Sequence, residues 1–431
     1  MSRHTRTSDS GRRFLIGCVA AWSFSCQSAL DDSPSTDRLE AIVIQGDDGL
    51  RCPADASVGS QKDYAKPGPY QVGMLDLTLQ DRSRPVTANA KHSAEPFRSL
   101  VTSIFYPASG SATLFGPAPL ASGGPFPMLM YSHGYGSNRN EANHLANRAA
   151  SYGYIVVAVD FPFTNTNRLL VGESLDTSDI ANQARDVSFL IDRLLAFSRD
   201  PLHILARGVD EARIGAVGVS MGGLTTLLVA LHPKLLDRRV KAAAPIAPLS
   251  SFFLPGFYHV REIPLLFVHG DLDAFVDYEL NGRRAFERAA PNAQLVSFAM
   301  GTHAAFAFQL DKDSLALMNA LLAPADADPA NADAFGCAVV GQTLRDDHDY
   351  VPPLGGPENF VSYDAVHEPI LPCSADQYRH PGLDAIEQVE LATRAVVAFF
   401  EAQFAKTPET REGGCSYLLH ELPKQPPVTV E

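Results

Sequence analysis

The string with the clearest chemical meaning is GVSMGG at 218–223, which matches the pattern G-x-S-x-G. An apolar stretch typical of a strand precedes it, and an apolar stretch typical of a helix follows it. In that setting the pattern marks a nucleophilic serine on a sharp turn. We therefore expect a strained backbone at Ser220, with glycines at 218 and 222 because a side chain there would collide with the turn. The alternative is a tight turn that carries an inert serine.

A serine hydroxyl is a weak nucleophile and needs a neighbouring base. The expected chain order is serine, acid, histidine, and the downstream segments LFVHGDLD and SFAMGTH are apolar strands that end in acids and in a histidine. Ser220 lies 53 residues before Asp273, which lies 30 residues before His303. Each spacing allows a strand–helix–strand crossover, so we predict His303 as general base and Asp273 as the residue that orients its imidazole. Asp271 is the rival acid, with bracing of the loop as its other role.

Two backbone N–H groups are expected to stabilise the oxyanion of an acyl transfer. One belongs to Met221, directly after the serine, and the other to the loop after the third predicted strand. That loop reads HGYG at 133–136, and it makes the N–H of Tyr135 the second predicted donor. Val219, Phe161 and Phe163 are the candidate substrate contacts, with plain core packing as the alternative for the phenylalanines. The histidines of HGYG and of LFVHGDLD, both before a glycine, are interpreted as structural.

These residues need a scaffold that brings strand ends together. Continuous apolar runs such as 155–159 are typical of strands buried on both faces, whereas 180–197 has the apolar spacing of one helix face. The alternation of such stretches from about residue 70 predicts an α/β fold, with a mainly parallel sheet covered by helices on both sides. Such sheets carry their active sites at the carboxyl ends of the strands. The other predicted strands are 74–80, 100–106, 127–131, 213–219, 240–246, 264–268 and 294–298, and the other predicted helices are 140–151, 224–231, 278–289 and 385–404.

Composition excludes several classes of protein. The 431 residues are 45% hydrophobic and 19% charged, which is globular rather than disordered. A formal net charge of −14 offers no electrostatic reason to bind nucleic acid. No apolar run reaches the roughly 20 residues that span a bilayer. The sequence has no Walker loop and no G-x-G-x-x-G, so no cofactor is implied, and RDDHDY at 345–350 is interpreted as a solvated loop rather than a metal site.

The beginning of the chain indicates export. Four arginines precede an apolar segment of 11 residues, as in a secretory signal. Cys26 follows at a position that suits lipid attachment in a bacterial lipoprotein, and an ordinary cleaved signal is the alternative. We expect an exported protein that is periplasmic, secreted or anchored at the envelope, and the oligomeric state is left open. The predicted divisions are a signal at 1–30, an irregular segment at 31–70, an α/β core at 71–310, an insertion at 311–380, and a helix and tail at 381–431.

Four cysteines lie outside the predicted signal, and an exported chain favours their oxidation. Four cysteines allow three pairings, and the sequence does not choose among them. Our working pairs are Cys337–Cys373 and Cys52–Cys415. The first pair would close a loop worth roughly 4 kcal/mol in the chain-entropy model. Four buried thiols are the alternative.

The segments around the candidate residues are YSHGYGSNRN, YGYIVVAVDFPFTNTN, GVSMGG, HGDLDAFV and GTHAAF. Together they resemble the α/β-hydrolase superfamily, in the branch of platelet-activating-factor acetylhydrolase-like lipases, dienelactone-hydrolase-like proteins and cutinase-type polyester hydrolases. The resemblance covers about residues 70–310 and the final helix. It implies an α/β-hydrolase fold and a cofactor-free serine ester hydrolase, and it supports Asp273, because the second aspartate of DLDAFV matches the catalytic one of polyester hydrolases.

The resemblance divides between two branches. GVSMGG is similar to the elbow of polyester hydrolases, whereas the YPA segment and the RDVSFLIDRLL helix are similar to acetylhydrolase-type proteins. Polyester hydrolases carry an aromatic residue or histidine where this chain has Val219, and they lack the 311–380 insertion. The resemblance thus implies short acyl groups, such as the acetyl group of an ether phospholipid. A cutin or polyester substrate is the alternative within enzymes, and a catalytically dead binding protein is the alternative of another class.

Overall fold

A computed structural model describes residues 52, 62–112, 116–289, 291, 293–308, 311–341, 348–362, 372–373 and 376–431. All of them belong to one unit, Ala41–Glu431. The predicted signal with Cys26, most of the 31–70 segment and the RDD of RDDHDY lie outside the described residues. Export and lipid attachment therefore stay predictions.

The centre of the fold is a sheet. Its strands are β1 Gln71–Asp81, β2 Arg98–Ala108, β3 Phe126–Ser132, β4 Ile155–Asp160, β5 Val209–Val219, β6 Val240–Ile246, β7 Leu265–Gly270, β8 Ala293–Phe298 and β9 Val428–Val430. In the described part of the chain they form nine strands in the order β1-β2-β4-β3-β5-β6-β7-β8-β9. Six consecutive strands of the sheet, β4, β3, β5, β6, β7 and β8, pair in parallel. β1, β2 and β9 add antiparallel strands at the two sides. The predicted mostly parallel sheet is confirmed.

Helices connect the parallel strands. They are α1 Asn143–Ser151, α2 Thr166–Leu170, α3 Ile180–Arg199, α4 Met221–Leu231, α5 Arg284–Ala289, α6 Ala304–Ala307, α7 Lys312–Leu322, α8 Asp333–Gly336, α9 Ala385–Phe404 and α10 Pro408–Ser416. The segment predicted as one helix at 278–289 is a π-helical turn, Glu279–Arg283, that continues into α5. The overall arrangement is the α/β-hydrolase fold.

The two faces of the sheet are buried against different helices. Leu129 and Tyr131 of β3 belong to the cluster that contains α1 and α9 residues, whereas Met128 and Met130 belong to the cluster that contains α3 residues. This alternation follows from the strand period of two. It explains why every residue of β4 is buried and why the sequence of that strand is continuously apolar.

The 311–380 region is ordered where the structure describes it. It contains α7 and α8, and an isolated bridge joins Phe253 to Val361. Both working disulfide pairs are present, Cys337–Cys373 and Cys52–Cys415. Within the described ranges, no helix has the length and apolar character that crossing a membrane would require.

Candidate active site

Ser220 occupies the turn between β5 and α4. Its backbone angles are φ 59° and ψ −119°, a conformation that costs a residue with a side chain about 1–3 kcal/mol. A Cβ atom at Gly222 would lie 1.9 Å from the carbonyl oxygen of Ser132, and one at Gly218 would lie 2.5 Å from it. The strained turn and the need for its two glycines are thus as predicted, and the half-buried Ser220 lies at the carboxyl end of the sheet.

A histidine and an aspartate meet at the same end of the sheet. His303 follows β8, and its Nδ1 lies 2.7 Å from Oδ2 of Asp273, which follows β7. Oδ1 of Asp273 accepts the backbone N–H groups of Phe275 and Val276, at 2.9 and 2.7 Å. Because Nδ1–H of His303 donates to a carboxylate, Nε2 is the basic nitrogen of the neutral ring. This is the arrangement that a general base requires.

The charges of this pair stabilise each other. Burial alone would raise the pKa of Asp273, but the charge of His303 and the hydrogen bonds from His269 and His303 hold it well below its usual value. Burial would lower the pKa of His303, but Asp273 raises it by its charge and its hydrogen bond, with smaller contributions from Asp333 and Glu141. The protonated imidazole that a proton transfer from Ser220 would create is therefore stabilised in advance.

The neighbouring acid and histidine have structural positions. Asp271, the rival acid, is exposed, and its Oδ1 accepts the backbone N–H of Met300 at 2.7 Å, so it braces the turn. His269 is fully buried, and its Nε2 lies 3.1 Å from Oδ2 of Asp273 and 2.9 Å from the carbonyl oxygen of Val276. Of the two aspartates, the structure brings only Asp273 to His303. The second histidine on that carboxylate was not anticipated.

Buried side chains form hydrogen bonds with the backbone of the HGYG loop after β3. His133 Nδ1–H donates to the carbonyl oxygen of Gly134 at 2.7 Å, which agrees with a structural role. The buried carboxylate of Glu141 accepts the N–H of Gly134, at 3.2 and 3.3 Å, and the hydroxyl of Tyr131, at 2.9 Å. Burial raises the pKa of Glu141 to about 7, although these hydrogen bonds and the charge of His303 oppose the shift. Glu141 was missed, since one glutamate at the start of a polar helix is not a distinctive pattern.

The predicted oxyanion donors lie close to Ser220. Met221 is the first residue of α4, and N–H groups in the first turn of a helix have no intrahelical acceptor. The side chain of Tyr135 packs against the cluster that contains Met221. A Cβ atom at Gly134, next to Tyr135, would lie 3.4 Å from the Cβ of Ser220 and 3.5 Å from Oε2 of Glu141. The HGYG loop, the turn at Ser220 and the buried Glu141 therefore adjoin one another.

The candidate substrate contacts are core residues instead. Val219, Phe161 and Phe163 expose 2%, 0% and 1% of their surface. Phe161 packs with β4 and α3 residues, and the ring of Phe163 stacks on His92 with the centroids 4.0 Å apart. The prediction of substrate contact at the two phenylalanines is corrected, because side chains enclosed in this way present no surface to a ligand.

A cavity of about 570 Å³ opens beside the HGYG loop. One wall is polar and includes Ser137, Thr166 and the buried Glu141. None of the described residues that line the cavity is lysine or arginine. The elements that contribute to the cavity also carry exposed apolar side chains, among them Leu321 on α7 and Val171 after α2. The apolar wall consists of Leu169, Phe308, Met318, Leu322, Phe335 and Val339.

Among the described residues, no group of three or more His, Cys, Asp or Glu side chains could hold a metal ion.

The chain matches a known protein family. A family described as PET hydrolase-like matches residues 78–318, which is more than half of the chain. The chain is 31% identical over 146 residues to cutinase est1 of Thermobifida alba, covering 34% of this chain and 42% of that protein. It is 26% identical over 232 residues to cutinase 2 of Thermobifida cellulosilytica, covering 52% and 74%. The solved structure of a ferulic acid esterase from Streptomyces cinnamoneus matches 81% of this chain and 97% of its own, with a TM-score of 0.49 and 20% identity.

Proposed function

Because the chain belongs to the PET hydrolase-like family, we propose that it hydrolyses carboxylic esters through an acyl-enzyme on Ser220. The observation that carries this proposal is the hydrogen bond from His303 to the buried Asp273, at the same end of the sheet as the strained turn of Ser220. The cutinases of Thermobifida, with which the chain shares 26–31% identity over parts of its length, support the class of reaction.

In the proposed reaction, Oγ of Ser220 attacks the ester carbonyl while Nε2 of His303 takes its proton. The carbonyl oxygen becomes an oxyanion, and the N–H groups of Met221 and Tyr135 stabilise it. His303 then gives the proton to the leaving alkoxide, which departs as an alcohol. Water attacks the acyl-enzyme by the same steps and releases the acid and Ser220. Asp273 stays ionised throughout and stabilises the imidazolium of His303.

For the substrate, we propose a neutral and largely apolar ester of the cutin or polyester kind. The described residues that line the cavity beside the HGYG loop are apolar side chains and polar groups, among which Glu141 is the one acid, and none of them is lysine or arginine. A phosphodiester is normally recognised by arginine or lysine. The same lining therefore disfavours the acetylated phospholipid that the acetylhydrolase resemblance implies. That phospholipid and the short acyl length stay predictions.

We also propose that the protein is exported. Two disulfides join described parts of the chain, and such bonds persist in oxidising compartments.

The test compares wild type with Ser220→Ala and with Ser109→Ala, an exposed serine at the end of the β2 region. A fluorophosphonate probe should label wild type and Ser109→Ala but not Ser220→Ala. Each protein is then assayed on p-nitrophenyl esters of increasing acyl length, an acetylated phospholipid and a polyester film. Undiminished esterase activity in Ser220→Ala would refute the nucleophile, and an unlabelled, inactive wild type would favour a binding protein. Preference for the phospholipid over the neutral esters would refute the substrate class.

A further inference from the structure

One buried carboxylate outside the proposed triad joins the two loops that carry the acid and the base. Asp333 lies at the start of α8, in the 311–380 region, and it is completely buried. Its Oδ2 accepts the backbone N–H of Ala274 at 2.9 Å and that of His303 at 3.0 Å. Its Oδ1 accepts the N–H of Ala304 at 2.6 Å. The side chain thus bonds the residue after Asp273, His303 itself, and the residue after His303.

The neighbouring disulfide holds α8 against the same loop. Cys337 follows α8 directly, and its partner Cys373 donates a backbone N–H to the carbonyl oxygen of Ala274 at 2.6 Å. Both cysteines pack with Ala274 and Phe275. The ring of Phe275 lies 5.2 Å from the ring of His303, centroid to centroid. Asp333 therefore contacts the two loops from a short helix whose next residue, Cys337, is joined by the disulfide to Cys373 beside Ala274.

A carboxylate in this place needs an explanation beyond packing. Burying a charge without a basic partner is expensive, and an apolar side chain of the same volume would fill the space without that cost. Asp333 has three amide donors, and the imidazole of His303, which can become a cation, is among the groups that act most strongly on its ionisation. The energy of the buried charge is therefore coupled to the protonation of His303.

We propose that Asp333 is a positioning residue for the ester hydrolysis. By bonding both loops it holds Asp273 and His303 at hydrogen-bonding distance, and by its charge it favours the imidazolium that forms when His303 takes the proton of Ser220. This inference rests on the proposed function, since it assigns Asp333 a role through His303. It also gives the 311–380 region a part in catalysis.

The electrostatics agree in direction. Burial and the charge of Asp273 raise the pKa of Asp333 to about 6, while the charge of His303 and the amide hydrogen bonds oppose the shift. Three acidic groups, namely Asp273, Asp333 and Glu141, raise the pKa of His303. Removing the charge of Asp333 should lower the pKa of His303. Because the base must be neutral, the acid limb of kcat/KM should then move to lower pH.

The test uses Asp333→Asn, which keeps the shape and one acceptor oxygen but not the charge, and Asp333→Ala. Asp313→Asn, an exposed aspartate in the first turn of α7, is the matched control. Active sites are counted by fluorophosphonate titration, so that only folded enzyme enters the rates. For Asp333→Asn we expect kcat to fall roughly 10- to 100-fold with a smaller change in KM, as when buried donors lose a charged acceptor. We also expect the acid midpoint of kcat/KM to move to lower pH, with neither change in the control.

A direct titration separates this inference from the proposed function. The pKa of His303 can be followed by NMR on protein with 15N-labelled histidine, and this measurement does not require activity. A lowered pKa in Asp333→Asn supports the coupling even in a protein that hydrolyses no ester. An unchanged pKa and an unchanged pH midpoint, with a loss confined to the melting temperature, would overturn the inference and leave Asp333 purely structural. If Asp333→Ala does not fold, Asp333→Asn alone decides.

Discussion

The choice between two aspartates offers the sharpest test of the proposed triad. Asp273 and Asp271 are two residues apart, and replacing either with asparagine changes one oxygen to an amide group. Asp273 accepts four hydrogen bonds, two on each oxygen, whereas Asp271 is exposed and accepts the backbone N–H of Met300. The two variants therefore carry the same Asp-to-Asn substitution, and they differ in the burial and the hydrogen bonds of the replaced side chain.

The expected size of the effect follows from those contacts. In Asp273→Asn, the amide oxygen keeps the backbone N–H groups of Phe275 and Val276, which places the NH₂ group against the two imidazoles. The NH₂ group can only donate, so Nδ1 of His303 must be unprotonated to accept its hydrogen bond. The proton of the neutral imidazole then lies on Nε2, which can no longer act as the base for Ser220. In a serine hydrolase this wrong tautomer lowers kcat by about 10⁴-fold, which is about 5.5 kcal/mol of barrier. Asp271→Asn keeps an acceptor for Met300 and should change kcat less than about tenfold.

The assay is hydrolysis of a soluble p-nitrophenyl ester under saturating conditions, with unfolding curves recorded for each variant. Asp273→Asn should remain folded and lose activity, whereas Asp271→Asn should lose little of either. Equal losses in the two variants, or a larger loss in Asp271→Asn, would refute the assignment of the acid. Activity of Asp273→Asn within tenfold of wild type would refute the tautomer argument itself.

Two further substitutions test the turn and the buried glutamate. Gly222→Ala places a Cβ 1.9 Å from the carbonyl oxygen of Ser132, so the turn must shift. Esterase activity should be abolished, and the unfolding free energy should fall by roughly 1–3 kcal/mol or more. The control Gly116→Ala, with nothing within 4 Å of the added carbon, should match wild type. Glu141 has a pKa raised from 4.5 to about 7 in the folded state, so the folded protein holds this proton more tightly than the unfolded chain and loses stability as the pH rises from 4.5 to 7. Glu141→Gln does not titrate, and urea unfolding should therefore show the variant gaining up to about 3 kcal/mol relative to wild type across that range; a difference that is constant with pH would contradict the shift.

Much of the architecture is a local property of the chain. The apolar run of β4 and the helical spacing of α3 reflect periods of two and 3.6 residues, which the backbone imposes wherever one face is buried. The turn at Ser220 has a local sequence pattern, but the atoms that require glycine at 222 belong to Ser132 and His133 at the end of the adjacent strand β3. By contrast, β9 has only three residues, too few for a periodic signal, and its position depends on pairing with β8.

Phe161 and Phe163 were predicted to contact the substrate, but the structure buries them in the core. Phe161 and Phe163 follow a strand that ends near Ser220, which suggested contact with a substrate. Their side chains instead turn into the core, where Phe163 meets His92 from a segment more than 70 residues earlier in the chain. No pattern in the sequence around the two phenylalanines distinguishes these directions, because the partner that encloses the ring comes from elsewhere.

Sequence alone determined the order of β1 to β8 and of the long helices α1, α3, α4 and α9, the turn at Ser220, and a histidine and two acids at strand ends on one side of a parallel sheet. Those features depend on spacing and on the chemistry of single residues. Only the tertiary structure decided which acid meets His303, brought Glu141 to the backbone of the HGYG loop, and brought Asp333 to the loops of Asp273 and His303. Asp333 is 59 residues from Ala274 and 30 from His303, and such contacts are selected by the packing of the whole chain rather than by any local pattern.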